Sequence, residues 1–423
     1  MCQCKTCLLC RRNSVRWPVW SAPQCVARKI HNRRERTGMA ESQKTYRLGV
    51  IGFAHMHVNE LVAQFVGHEQ VNLIACADTV PNVPSLTAVE GSRTANLKRT
   101  LASAENVVTY ADYREMLEDQ DLDIVIFCPE ISRHAEVAEA LAAHGIHMLT
   151  EKPMAASLGD AERMVHAAGN AGVTLMVNWP ITWRPWVLTV KDLIDAGEIG
   201  TPWEFKWRNG PSLGPLAAGS LHPGDTVVSG ALSEAEKAAE WWHQADAGGG
   251  ALLDYCCYGA CLSTWFLGQQ AISAQGMKAN LLSPFGDAED NAAMLVRFPD
   301  ALAILEATWT TFHAGVPHGP IVFGTHGTIV VDGTVAKVFA ERDNPEPTAI
   351  YKGEPFGASR ATIAEQFIRH VETGESPHPT LDLPLNLAAT AILDAGIRSA
   401  TSGKSENIET ATVALPLRFG ETE

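Results

Sequence analysis

Three short stretches of the chain concentrate the residues able to do chemistry. Glu151-Lys152-Pro153 follows an apolar run and sets an amine beside a carboxylate. A lysine partly removed from water has its charged form disfavoured, which suits a proton relay. Gly248-Gly249-Gly250 opens a second stretch, where three glycines would let backbone approach a substrate. Asp254 and Tyr258 follow, four residues apart, on one face of the helix that the apolar run predicts. An acid and a phenol on one face can hold a sugar hydroxyl and exchange its proton. The third stretch runs from Gly49 to His57 and stands where a dinucleotide fingerprint would read G-x-G-x-x-G. Gly52 makes the tight turn, Ala54 replaces the second glycine and His57 the third. Asp78, at the end of the next predicted strand, can accept both ribose hydroxyls of NAD and would repel the extra phosphate of NADP. Each residue also has a plainer reading: a solvated lysine, a carboxylate at a helix N-terminus, a core tyrosine, a turn aspartate.

The elements that must position these residues follow from hydrophobic periodicity. From Tyr46 the pattern alternates strand and helix: strands at 47–52, 71–77, 107–109, 123–127, 146–149 and 173–177, with helices between them. That alternation predicts an α/β fold whose N-terminal domain is a doubly wound Rossmann sheet, in which ligands bind at the carboxyl ends of the strands. Beyond a helix at 186–196 the texture changes to strand-rich segments and two later helices, near 363–371 and 385–399. This predicts a C-terminal α+β domain on a mostly antiparallel sheet with helices on one face. The expected division is 1–38, a basic extension outside the fold; 39–180, NAD-binding; and 181–423, substrate binding and oligomerisation.

Composition narrows the function. The formal net charge of -15 at pH 7 argues against phosphate-backbone binding, so no nucleic-acid partner is expected. No apolar run is long enough to cross a bilayer, which points to a cytoplasmic protein with no membrane partner. Residues 1–38 carry nine Lys and Arg against Glu35 alone, and include Cys2, Cys4, Cys7 and Cys10. With no folded frame around those thiols, no metal is expected there or elsewhere. Met39 makes an upstream extension, or a start set too early, the plainest account of the segment. Cys76, Cys128, Cys256, Cys257 and Cys261 lie in apolar runs and read as reduced core thiols. Five tryptophans, Trp179, Trp183, Trp186, Trp241 and Trp242, could stack on a sugar face or fill a core.

Taken together, the turn at Gly49–His57, Cys128-Pro129 with His134, Glu151-Lys152-Pro153, and the glycine triplet with Asp254 resemble the glucose-fructose oxidoreductase, inositol dehydrogenase and MocA family. The likeness runs from Tyr46 to the end of the chain. It implies NAD, with NADP less favoured, held by Gly52, Phe53, Ala54, Met56 and Asp78, with Pro129, His134 and Glu151 lining the nicotinamide side. Lys152 would orient substrate and relay the proton, Asp254 would bind substrate, and Tyr258 would stand where many members carry a histidine acid/base. Glu130, where Asn is common, adds a negative charge near the cofactor. The implied activity is hydride transfer from a secondary alcohol of a sugar, inositol or related polyol. Its partners would be that small polyhydroxylated substrate and a second copy of the chain, as homodimer or homotetramer through the C-terminal sheet. Two alternatives stay open: an NAD-retaining glycoside hydrolase acting by transient oxidation, and a non-catalytic dinucleotide or sugar sensor.

Overall fold

The computed structural model describes residues 44–79, 91–210, 238–282, 285–311, 319–409 and 411. The basic extension and most of the 210–247 insertion lie outside the described residues. Six strands, β1 (Tyr46–Phe53), β2 (Val71–Ala77), β3 (Val108–Tyr110), β4 (Ile124–Cys128), β5 (His147–Glu151) and β6 (Leu175–Asn178), form a wholly parallel sheet ordered β3-β2-β1-β4-β5-β6. The crossovers include helices α1 (Val58–Val66), α2 (Arg93–Ala102), α3 (Tyr113–Asp119), α4 (His134–Ala143) and α5 (Leu158–Ala171). Strands β1 and β4 read as almost unbroken apolar runs because helices cover both faces of the sheet. The order reverses between β1 and β4, so their carboxyl ends frame a crevice.

Helix α6 (Trp186–Asp195) leads into the second sheet, nine strands ordered β14-β13-β12-β11-β7-β10-β9-β8-β15. Its centre is β7 (Pro202–Asn209), paired parallel to β10 (Leu302–Thr308), and every other pairing is antiparallel. The remaining strands are β8 (Ser273–Ala279), β9 (Asn291–Arg297), β11 (Ile321–Gly324), β12 (Thr328–Asp332), β13 (Val335–Phe339), β14 (Ala349–Lys352) and β15 (Glu406–Asn407). Strands β14 and β15 had no clear periodic signal in the sequence. Helices α7 (Cys257–Leu267) and α9 (Leu383–Ser402) cover one face, where Phe205, Trp207, Met294 and Leu305 are buried. The opposite face carries Met277 and Leu295 in the open.

Helix α8 (Ile363–Thr373) departs from the expected order of domains. Although it follows the second sheet in sequence, it packs on α1, with Ile363, Ala364, Phe367 and Ile368 joining the core of β1 and β2. The Phe367 ring meets Phe65 edge-on at 5.7 Å, a geometry worth about 0.5–1.5 kcal/mol beyond the area it buries. Thr362 caps this helix by accepting the Glu365 N–H, and Gly374 ends it with a left-handed turn. The five cysteines at 76, 128, 256, 257 and 261 are buried and unbridged, as their apolar settings predict. Among the described residues, no helix is long and apolar enough to cross a membrane.

Candidate active site

The crevice at the carboxyl ends of β1, β4 and β5 gathers most of the predicted residues. Gly52 ends the first strand at φ +79°, and a Cβ there would lie 2.6 Å from Pro129 N, so only glycine fits this approach between the β1 and β4 turns. Ala54 and His55 both donate their N–H to Cys128 O, at 3.0 and 3.3 Å, which ties the two turns together. Phe53, Ala54 and Pro129 lie in these two turns, with Met56 half-buried just ahead of α1. The His134 ring is buried below them, its Nδ1 3.0 Å from Met154 O, joining the β4 turn to the residues after Lys152.

Asp78 stands at the end of β2 and accepts the Thr79 N–H at 2.7 Å. Arg93, from the first turn of α2, reaches both Asp78 and Glu130. The extra charge of Glu130 is thus met by a cation that no local pattern points to. Burial raises the Asp78 carboxyl above its ordinary range, and Arg93 only partly opposes the shift. A dinucleotide fits this framework: a parallel sheet reversing at β1/β4, a glycine turn against Pro129, and a carboxylate at the tip of β2.

On the other side of the crevice, Lys152 and Asp254 are both buried and paired, Nζ to Oδ1 at 2.8 Å. Lys152 also donates to the Asp254 carbonyl oxygen at 2.9 Å. Asp254 Oδ2 accepts the indole N–H of Trp309 at 3.1 Å, from the end of β10. Burial alone would push the Lys152 ammonium down, but Asp254, with Tyr258, Cys257 and Glu151 adding less, carries it well above the ordinary lysine value. This corrects the sequence expectation: the lysine is desolvated, yet its charged form is favoured, because its counter-ion is desolvated with it.

Two further expectations change. The glycine triplet does not open onto substrate space: a Cβ on Gly248, Gly249 or Gly250 would meet Ile131, Trp242 O or Glu289, respectively, within 3 Å. Glycine is needed there to thread backbone between neighbouring protein segments. Nor do Asp254 and Tyr258 share one regular α-helix, since Asp254 lies in a π-helical turn, Leu252–Cys256, ahead of Tyr258 in α7. Such turns carry more residues per revolution and recur at functional sites. Here Asp254 faces Lys152 and Trp309, while Tyr258 stacks on Trp207 and meets Trp179 edge-on. Lys152 Nζ lies 4.8 Å from the Tyr258 ring centroid, over its face rather than beside its hydroxyl. Burial raises both Tyr255 and Tyr258 above the ordinary phenol value.

Sequence reasoning missed Trp309, Arg93 and the partners of Glu151. One Glu151 oxygen lies 2.9 Å from His57 Nδ1, and the other accepts Asn178 Nδ2 at 2.8 Å. Trp241 donates its indole N–H to Ala54 O at 2.9 Å and stacks on Trp242, so this pair covers the first turn. Trp179 is fully buried and bonded to Asn386 Oδ1. These three tryptophans are framework.

With this geometry established, two family models account for most of the described chain. Residues 46–179 match the oxidoreductase family with an NAD-binding Rossmann fold, and residues 187–330 match the GFO/IDH/MocA C-terminal domain. The chain belongs to the GFO/IDH/MocA oxidoreductase family. It is 24% identical over 278 residues to the myo-inositol 2-dehydrogenase of Thermotoga maritima, an alignment covering 63% of this chain and 75% of that one. It is 26% identical to the NADP(+)-linked D-xylose 1-dehydrogenase of Haloarcula marismortui, covering 58% of this chain and 64% of that one. Among solved structures, the aldose-aldose oxidoreductase of Caulobacter crescentus superposes with a TM-score of 0.64 at 18% identity, covering 86% of this chain and all of that one. That structural likeness concerns the fold.

Proposed function

We propose that the protein is an NAD-dependent dehydrogenase that exchanges hydride with a secondary alcohol of a sugar, inositol or related polyol. The observation that carries this reading is the buried Lys152–Asp254 pair at the mouth of the dinucleotide crevice. When bound, the dinucleotide supplies the hydride acceptor at its nicotinamide.

Lys152 uses two of its N–H groups on Asp254 and has one left for a substrate oxygen. In the reducing direction its ammonium donates a hydrogen bond to the carbonyl oxygen and gives up a proton as the alcohol forms. Oxidation retraces the path from neutral Lys152, so its rate climbs with pH while the lysine deprotonates. Asp254 holds the amine in place, and Trp309 holds Asp254. Tyr258 belongs to the site through its ring, which faces the ammonium. Asp78 favours NAD over NADP through its carboxylate, with Gly52, Phe53, Ala54 and Met56 carrying the phosphates and Pro129, His134 and Glu151 shaping the nicotinamide side.

A cytoplasmic homo-oligomer fits the open face of the second sheet, where Met277 is 75% and Leu295 45% exposed, an apolar surface that a second copy would cover. The test of function is absorbance at the NADH band with NAD and NADP offered separately across sugars, inositols and glycosides. NADH formed from one polyol class supports the reading. A leaving group released from a glycoside without NADH accumulation would replace it with the hydrolase.

A further inference from the structure

The β1–α1 turn carries two histidines at positions where a dinucleotide turn requires only backbone. His55 and His57 are two residues apart, with ring centroids separated by 4.3 Å. Glu151 comes up to them from the end of β5, its Oε1 2.9 Å from His57 Nδ1. One ligand-type atom from each of the three residues lies within 4.8 Å of the other two.

Each side chain is already held in place. Asn178 fixes the second oxygen of Glu151, and the edge of Trp242 meets the His55 ring at 4.9 Å. Outer hydrogen bonds of the Asn178 type orient ligands in metal sites. Burial first, then His57, Lys152 and His134, push the His55 imidazole well below the ordinary histidine value. The His57 ring is partly open to solvent, with 28% of its side chain exposed, which provides a way in.

We propose that His55, His57 and Glu151 bind one divalent transition-metal ion of the Zn2+, Co2+ and Ni2+ class. Two imidazoles and one carboxylate form a donor set suited to these borderline ions and poor for Mg2+ or Ca2+. The 2.9 Å gap between His57 Nδ1 and Glu151 Oε1 is already close to the ligand–ligand edge of about 3 Å that metal bonds of about 2.1 Å make when they meet near a right angle. The ion comes between these two atoms, at the cost of the contact they make with each other. His55 gives up at most one long hydrogen bond, the His57 N–H to its Nδ1 at 3.2 Å. Three protein ligands leave coordination positions open to water or to a substrate oxygen.

The test is calorimetric titration of Co2+ into the metal-stripped full chain without dinucleotide, read in parallel by the visible d–d absorption of the cobalt complex. One equivalent should bind, with a tetrahedral or five-coordinate spectrum that Zn2+ abolishes by competition. His57→Asn, His55→Gln and Glu151→Gln should each weaken binding at least about tenfold, with His57→Asn, on the most open of the three side chains, melting like the parent. Stoichiometric binding that survives all three substitutions would place the ion elsewhere, for instance on the Cys2, Cys4, Cys7 and Cys10 thiols, and would overturn the proposal. So would the absence of stoichiometric binding by the parent. Neither result touches the dehydrogenase reading, which requires no metal.

Discussion

Glu151 and Lys152 are neighbours in the chain, yet they serve two halves of the crevice under opposite electrostatic conditions. On the substrate side, Lys152, Asp254 and Trp309 form a closed network of charge-assisted bonds with both carboxylate oxygens engaged. On the dinucleotide side, Glu151 is met by an imidazole and an amide, among the histidines at 55, 57 and 134. At a strand end, successive side chains point to opposite sides, so one dipeptide can feed both. The substrate half is complete in charge. The dinucleotide half pairs its carboxylate with an imidazole and an amide instead of a buried ammonium.

The sharpest test of this division is Lys152→Met. Turnover should fall by about 10²–10⁴, the usual contribution of a positioned proton carrier, while NAD affinity, followed by quenching of tryptophan fluorescence, changes only a few-fold. The substitution also leaves Asp254 buried without its cation, at a cost of about 3–5 kcal/mol. A denaturant curve must therefore show the variant folded before its rate is read. Parallel losses of turnover and affinity would mean that the two halves are one site.

Trp309→Phe probes the same half more gently, because it removes a single N–H and keeps the aromatic volume. A hydrogen bond to a charged group is worth about 1.5–3 kcal/mol, so kcat should fall roughly 10- to 100-fold with KM and NAD affinity nearly unchanged. With Asp254 less stabilised, it should hold Lys152 less well, and the alkaline rise of the oxidation rate should begin at lower pH. A loss confined to thermal stability, with the pH profile unmoved, would reduce Trp309 to packing.

Trp309 also shows where the sequence stops being legible. It lies 55 residues from Asp254, just past the end of β10, and no local spacing links an indole to a distant carboxylate. The same holds for His57 with Glu151, 94 residues apart, and for Arg93 between Asp78 and Glu130. Strands and helices of the first sheet are readable because their periods alternate cleanly, and Glu-Lys-Pro is readable because it closes β5. Helix α8 was recognised as a helix, but its chain position pointed to the wrong sheet. The π-turn at Leu252–Cys256 could not be seen, since an apolar run looks alike at either helical pitch. Local pattern therefore delivered the elements and the residues that carry charge, while tertiary pairing decided what those charges do.

On the dinucleotide side, Asp78→Ala should shift the NAD-to-NADP preference about tenfold towards NADP, equivalent to about 1.4 kcal/mol. Arg93, freed from one of its two carboxylates, then becomes a partner for the extra phosphate. The ratio of kcat/KM for the two dinucleotides measures this. An unchanged ratio would remove Asp78 from the discrimination.

The smallest effect separates the halves by the end of the pH scale at which each gives way. His55 and His134 are pushed below the ordinary histidine value chiefly by burial. Their stabilising share is therefore full above about pH 6.5, and it is lost as pH falls towards their folded values. Lys152 runs the other way: its folded value is raised, so its share is full below about pH 10.4 and is lost as pH climbs through the folded value. Each group contributes up to about 1.4 kcal/mol per pH unit within its window. In urea unfolding followed from pH 4 to 7, His134→Gln should flatten the acid limb, because an amide can keep the bond to Met154 O without taking up a proton. The same substitution should leave the alkaline limb as it was. An acid limb unchanged in His134→Gln would mean that the proton taken up on unfolding belongs to His55 or lies outside the crevice.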